Sequence, residues 1–350
     1  MIPAKGYAVL EANGPFQIYN FNRRALGLND VLIHIHYCGI CHTDIHQAKN
    51  DWQGGKYPMI PGHEITGKVV KVGENVKRFK ENDAVGVGFL VDSCRSCEPC
   101  NKDREQYCAN GYSGTFNGTE QDKETPTYGG YSNYIVVTEH FVVKIPDGLP
   151  LDSACPLMCA GITSYSPLKK YLGKNAKVAV IGLGGVGHMA VKFANALGAE
   201  VTVLSTSEEK RTDAMRLGAK HFIVSKDAEQ MKSASNKFNF IFDSASADHD
   251  VIPYLQLLAF EGVFCVAGAP VKPLNIPAYI LIAKCPIVTG VFVGGIKETQ
   301  EMLEFAAKHK ITCDIELLKA SPENLATAFE RTLNNDIRYR FVIDLQNAFT

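Results

Sequence analysis

The sequence predicts an α/β protein of two domains, a doubly wound parallel sheet joined to a mainly β domain, and three observations support this. Its 350 residues exceed one ordinary domain, and a hydrophobic content of 46% can bury a substantial core. Up to about residue 150 the chain is made of short apolar or alternating runs broken by glycine and proline, the pattern of half-buried strands. From about residue 177 strand-type and helix-type segments alternate, which implies parallel strands with helices on both faces.

In the first region, residues 31–37, 67–72 and 134–143 read as strands. In the second, 177–181 is a strand of buried type, followed by a glycine-rich turn and a helix over 187–197. Strand 200–204, helix 209–217 and strand 221–224 come next, and 239–242, 262–267 and 287–292 continue the strand series. The tail carries amphipathic helices near 298–308 and 323–333 and a strand at 340–345. It is too short for a core of its own and is expected to pack back onto the first domain. The expected division is therefore 1–152, 153–295 and a returning segment, 296–350. His34 and His36 alternate with apolar residues and are read as the polar face of their strand.

A formal net charge of −1, from 36 basic and 37 acidic residues, gives no footprint for a nucleic-acid or anionic-membrane partner. No run approaches the roughly 18 apolar residues of a membrane helix. Met1 to Gly6 lacks the charged lead and apolar stretch of a secretory signal, so a cytoplasmic protein is expected. In a reducing compartment the 11 cysteines point to metal ligation before disulfides. Cys265, Cys285 and Cys313 stand alone and are read as small buried hydrophobes.

Gly182-Leu183-Gly184-Gly185-Val186-Gly187 follows a strand and opens a helix, the context that makes such a turn a dinucleotide site. The first glycine allows the tight turn, the second lets backbone approach the pyrophosphate, and the third permits close helix–strand packing. An NAD site usually ends its second strand with an acid about 20 residues on. Here Ser205-Thr206-Ser207 stands in that place, with Lys210 and Arg211 beyond. Small hydroxyls leave room for an added phosphate and the cations supply partners for it, so NADP is expected. The alternative is a ribose held by Glu208 or Glu209, with Lys210 and Arg211 only decorating a helix start.

Cys94, Cys97, Cys100 and Cys108 bring four thiolates into one loop, the composition of a closed structural zinc site. An iron–sulfur cluster or a zinc-finger module are the rival readings, and neither further cysteine clustering nor a basic surface accompanies the four. A second, scattered set contains Cys41, His63 and Cys159, two thiolates and an imidazole that would leave a fourth position open, as in a catalytic zinc site. By spacing alone Cys38 could replace Cys41, and Cys155 could replace Cys159.

Gly62-His63-Glu64, followed by Gly67, Gly73 and Val76, resembles the signature of zinc-containing medium-chain dehydrogenases. The segment from Cys38 to His46 resembles the ligand segment of the cinnamyl alcohol dehydrogenase branch, and the similarity runs nearly end to end through the Arg338-Tyr339-Arg340-Phe341 stretch. It implies a GroES-like catalytic domain, completed by the tail, and a Rossmann cofactor domain. It selects Cys41, His63 and Cys159 as ligands, with Glu64 a carboxylate able to approach the metal and Asp44 fixing the tautomer of His63. It further implies that Thr43 and His46 carry the proton by way of the cofactor ribose. His42 and Arg338 would meet the pyrophosphate, and Thr163, Gly268, Val291, Phe292 and Val293 would wall the cofactor.

The resemblance thus implies a zinc-dependent alcohol dehydrogenase or aldehyde reductase using NADP, and a homodimer through the cofactor domain's outer strand. Trp52, the sole tryptophan, suits a wall for an aromatic or medium-chain aldehyde and equally suits core packing. The competing readings are an NAD-linked polyol dehydrogenase and an NADP-binding protein of the same fold without turnover.

Overall fold

The computed structural model describes residues 1–270 and 272–349. The chain divides into two compact units, Met1–Ile162 with Val293–Thr350, and Thr163–Phe292. These limits differ from the expected 152/153 and 295/296. The turn Cys155–Met158 is wholly buried against strands Asp30–Gly39 and Ile65–Val72, which keeps the Cys159 segment with the first unit.

Strand Asp30–Gly39 organises the seven-stranded sheet of the first unit. It pairs antiparallel with Ile65–Val72, Tyr134–Thr138 and Arg340–Asp344, so the tail enters the middle of the sheet. Val31, Ile33 and Ile35 are fully buried on one face. His34 and His36 project from the other, half-buried, with ring centroids 5.1 Å apart, as the two-residue period requires. The expected strand 134–143 is broken: Tyr134–Thr138 is followed by a tight turn at Glu139–Phe141, and Val143–Lys144 then pairs with Ala84–Val87. The Glu139 carboxylate turns this corner by accepting the Lys77 and Arg78 N–H groups, a long-range contact that local pattern cannot show.

The second unit is a six-stranded parallel sheet in the order His221–Val224, Glu200–Ser205, Lys177–Ile181, Phe238–Asp243, Leu258–Val266 and Ile287–Gly290. The chain begins in the middle at Lys177–Ile181, winds outward to His221–Val224, then returns to the other side of its first strand at Phe238–Asp243. Ligands of doubly wound sheets bind at such a reversal, outside the carboxyl ends of the strands. Helix Gly185–Ala196 begins at Gly185 rather than 187, because Gly184 already serves as its N-cap. It buries Met189, Val191 and Phe193, each worth roughly 1.5–3 kcal/mol, together with Ala190. Leu258–Val266 starts earlier and Ile287–Gly290 ends earlier than expected, and helix Ala278–Lys284 lies where no element was expected. Cys265 and Cys313 are buried, but Cys285 is exposed at the end of that helix. No helix among the described residues is long and apolar enough to cross a membrane.

Candidate active site and metal centres

Strand Asp30–Gly39 delivers Cys41 to the start of helix His42–Lys49, where Cys41 is the N-cap. Asp44, one turn into that helix, is fully buried and ties the local chain together. Its Oδ2 accepts the Cys41 N–H at 2.8 Å, while its Oδ1 accepts the Gly62 N–H at 2.9 Å and faces His63 Nδ1 at 2.9 Å. One carboxylate thus fixes two segments that are distant in sequence and leaves His63 Nε2 pointing inward. That atom has no hydrogen-bond partner.

The Cys41 and Cys159 sulfurs lie 4.0 Å apart, and ligand atoms of Cys41, His63, Glu64 and Cys159 all fall within 4.8 Å of one another. Cys38 and Cys155 are turned elsewhere, their thiols donating to the Gly39 and Asp152 carbonyls at 3.6 and 3.2 Å. Glu64 is fully buried, with neither carboxylate oxygen hydrogen-bonded. Arg340 approaches it from the tail strand, Nη2 3.3 Å from Oε1, and donates from Nη1 to the Ile40 carbonyl at 3.1 Å.

Burial pushes the Glu64 carboxyl up to about 8, against the pull of Arg340. Burial opposes the Arg340 cation as well, yet Glu64, Cys41 and Cys159 together hold its pKa above the ordinary value. The contact between the sulfurs draws the Cys41 thiol well down and drives Cys159 well up. Two soft sulfurs, an inward imidazole nitrogen and a buried carboxyl paired with Arg340 form the donor set of a zinc site, and the orphaned His63 Nε2 is the atom a metal would satisfy.

Phe89 stands edge-on to the His63 ring at 5.4 Å and Phe116 stacks on it at 5.9 Å. Both line a hollow of about 420 Å³ with Trp52, Tyr112, Asn117 and His46. Trp52 is 46% exposed, which removes the core-packing reading. His46, its ring 5.0 Å from Trp52, places Nδ1 2.8 Å from the Asp51 carboxylate. Several residues here escaped the sequence reading as site members, Phe116, Tyr112 and Asn117 among them. Arg340 was visible only as part of a terminal motif, and Phe89 and Asp51 carry no local signal that separates them from other loop residues.

In the cysteine loop, sulfur separations of 3.4 Å for Cys97–Cys100, 3.9 Å for Cys97–Cys108 and 4.0 Å for Cys94–Cys100 bring the four thiols into one cluster. Backbone N–H groups of Cys94 and Ala109 donate to the Cys108 and Cys97 sulfurs. Hydrogen bonds from the Ser96 backbone and hydroxyl pull the Cys94 thiol down to about 5. Hydrogen bonds likewise lower the Cys97 thiol, while burial pushes Cys100 up to about 12; four converging sulfurs with such backbone donors suit a closed zinc site. Glu105, within the same loop, accepts the Ile296 N–H at 3.2 Å and faces His140 at 2.8 Å, bracing the start of helix Ile296–His309.

In the second unit Gly182 turns the chain with a φ of +81°, and a Cβ on Gly187 would stand 2.1 Å from the Gly182 carbonyl, so both positions need glycine. Ser205 ends its strand, Ser207 caps the following turn by accepting the Glu209 N–H, and Lys210 Nζ donates to Leu183 O at 3.4 Å, beside the glycine-rich turn. Arg211 instead pairs with Glu208 and lies over Phe222, so its guanidinium is already engaged. Thr163, Gly268, Val291 and Phe292 belong to this unit; His42, Thr43, Val293 and the exposed Arg338 belong to the first.

Two family models match the chain, the alcohol dehydrogenase GroES-like domain over residues 27–147 and the zinc-binding dehydrogenase over 185–308. An 8-hydroxygeraniol dehydrogenase of Catharanthus roseus is 50% identical over 351 residues, covering 99% of this chain and 96% of the relative. A cinnamyl alcohol dehydrogenase structure from Sorghum bicolor superposes with a TM-score of 0.95 at 46% identity, covering 99% of this chain and 98% of that one. A Helicobacter pylori CAD complexed with NADP(H) gives a TM-score of 0.92 at 41% identity, covering 99% of each chain.

Fold and site define a zinc-dependent medium-chain alcohol dehydrogenase, and the chain belongs to that family. Within it the chain is of the cinnamyl alcohol dehydrogenase type, an oxidoreductase that interconverts alcohols and aldehydes. The reading as a dinucleotide-binding protein without turnover is set aside.

Proposed function

We propose that this chain passes a hydride between NADP(H) and a primary alcohol or aldehyde, with an aromatic or medium-chain substrate housed in the hollow beside His63. Cofactor choice rests on one observation: the second strand ends in Ser205, with no acid at its tip, while Lys210 reaches back to Leu183. A carboxylate at residue 205 would repel a 2′-phosphate; a hydroxyl and an ammonium accept it. The H. pylori CAD complexed with NADP(H) supports the same choice.

Cys41, His63 and Cys159 would hold a catalytic zinc, and Cys94, Cys97, Cys100 and Cys108 a structural one. The catalytic ion supplies Lewis acidity toward the substrate oxygen. Asp44 keeps the proton of His63 on Nδ1, so that Nε2 stays free to bind. Glu64, braced by Arg340, stands ready as an additional oxygen donor. The Thr43 hydroxyl, two residues beyond Cys41, holds the proton of the reacting oxygen, and His46, oriented by Asp51, passes it outward. Trp52, Phe89 and Phe116 shape the apolar wall for the substrate.

A steady-state panel of benzaldehyde, cinnamaldehyde, short aliphatic aldehydes and polyols, run with NADPH and NADH, tests this reading. Aldehyde reduction with NADPH is expected to dominate, and S205D should shift kcat/KM toward NADH by about ten-fold or more. Activity confined to polyols with NAD would overturn the substrate reading, and unchanged cofactor kinetics in S205D would remove the argument from Ser205.

A homodimer through the second unit's outer strand is supported by its surface. Ile287–Gly290 is an edge strand, and exposed apolar side chains stand on the neighbouring strand (Phe260, 72%) and on the helix that packs against that neighbour (Tyr279, 60%; Ile282, 83%). Sedimentation equilibrium is expected to give twice the chain mass, and a monomer at micromolar concentration would refute the pairing. With two clusters of reduced thiols, a cytoplasmic location fits best.

A further inference from the structure

An ion pair that the proposed chemistry does not use stands at the strand-order reversal of the second unit. Asp243 closes strand Phe238–Asp243 and is 1% exposed. Its Oδ2 lies 3.0 Å from His249 Nε2, and its Oδ1 accepts the Ala245 N–H at 3.1 Å. The other ring nitrogen, Nδ1, lies 2.9 Å from the Ala247 carbonyl oxygen. A carbonyl can only accept, so Nδ1 carries a proton. A carboxylate repels a bare lone pair, so Nε2 carries one as well. With Asp243 ionised, the two contacts are met by an imidazolium with both N–H groups engaged.

The loop that this pair closes leans on the glycine-rich turn. Ser244 Oγ donates to the Ile181 carbonyl at 2.8 Å and to Gly182 O at 3.3 Å. The Asp243 backbone oxygen accepts the Ala267 and Gly268 N–H groups at 2.8 and 3.0 Å, and a Cβ on Gly268 would stand 2.0 Å from Ala245 O. Residues 244–249 thus rim the reversal point from the side opposite Ser205, joining the two glycine positions assigned to the cofactor.

We propose that the Asp243–His249 pair is a clasp that holds loop 244–249 in the shape that receives the dinucleotide, and that loss of the His249 proton loosens it. The proposal rests on the dinucleotide reading above, and His249 is a positioning residue in it. The hydrogen bond to Asp243 holds the His249 imidazole up at about 9. Its folded value thus exceeds the ordinary value of about 6.5, so the stabilisation is complete below that pH and is lost as pH rises through about 9. Asp250 in the loop adds to the attraction, and Tyr254 presents its ring at 5.9 Å. Asp248 is paired with Lys272 at 3.7 Å. Behind Asp243, the Cys265 thiol is pushed to about 12 by burial and by Asp243, against the pull of Lys170, and stays neutral across the same range.

NADPH binding to the zinc-loaded full chain, followed by nicotinamide fluorescence from pH 7 to 10, tests the clasp with H249Q and D243N. At pH 7 each variant is expected to bind NADPH about ten-fold more weakly, and the ratio to wild type should fall toward one by pH 10. Thermal melts identify a variant that fails to fold, and the other then carries the test. A ratio near one at pH 7, or one that stays near ten at pH 10, overturns the clasp. Wild-type protein that binds neither NADPH nor NADH overturns the dinucleotide reading itself, and the clasp with it.

Discussion

Replacing His63 with alanine is expected to cut aldehyde reduction about a thousand-fold and to lower bound zinc from about two ions per chain to one. The rate figure follows from the several kcal/mol of charge stabilisation that a Lewis acid supplies, since roughly 4 kcal/mol corresponds to three decades in rate. The zinc figure follows from the separation of the two clusters: the four-cysteine loop has its own backbone donors and shares no residue with the Cys41–His63–Cys159 group. Metal content by atomic emission and turnover on one aldehyde give both readouts from the same preparation. Retention of turnover within ten-fold, despite loss of one ion, would show that the cluster is not where the reaction occurs.

The second large effect belongs to Asp44. D44A removes the acceptor for the Cys41 and Gly62 N–H groups and the partner of His63 Nδ1, all in a fully buried place. Each stranded donor costs about 1–3 kcal/mol. Removing the group that orients a ligand histidine typically weakens metal affinity by about 10–100-fold. The expected result is therefore a lower unfolding midpoint together with easier stripping of the catalytic ion by a chelator. D44N keeps an acceptor oxygen and should recover part of both losses. If D44A holds its zinc against chelation as wild type does, Asp44 is a helix cap and no more.

Both expectations concern His63 and Asp44, whose roles the sequence offers only through the family resemblance; other parts of the site are legible locally. A glycine-rich turn between a strand and a helix declares itself within six residues, and the cysteine run from Cys94 to Cys108 within fifteen. What could not be read is what pairing decides. Strand Ile315–Lys319 was missed because its half-exposed pattern gains meaning only beside Arg340–Asp344. That same register turns Arg340 inward to Glu64. The interruption of 134–143 is likewise set by the Glu139 carboxylate and the distant Lys77 and Arg78 N–H groups. Choosing Cys41 over Cys38 needed a family resemblance; in three dimensions the Cys38 thiol simply faces the Gly39 carbonyl.

Gly39 also bounds how this enzyme can be altered. A single methyl group there would stand 2.0 Å from Glu64 Oε2, so no other amino acid fits while that acid keeps its place. A side chain at residue 39 therefore requires the Glu64 carboxylate to shift. Under the proposed substrate reading, freedom to reshape selectivity would lie instead at Trp52, Phe89 and Tyr112, which line the hollow away from Glu64.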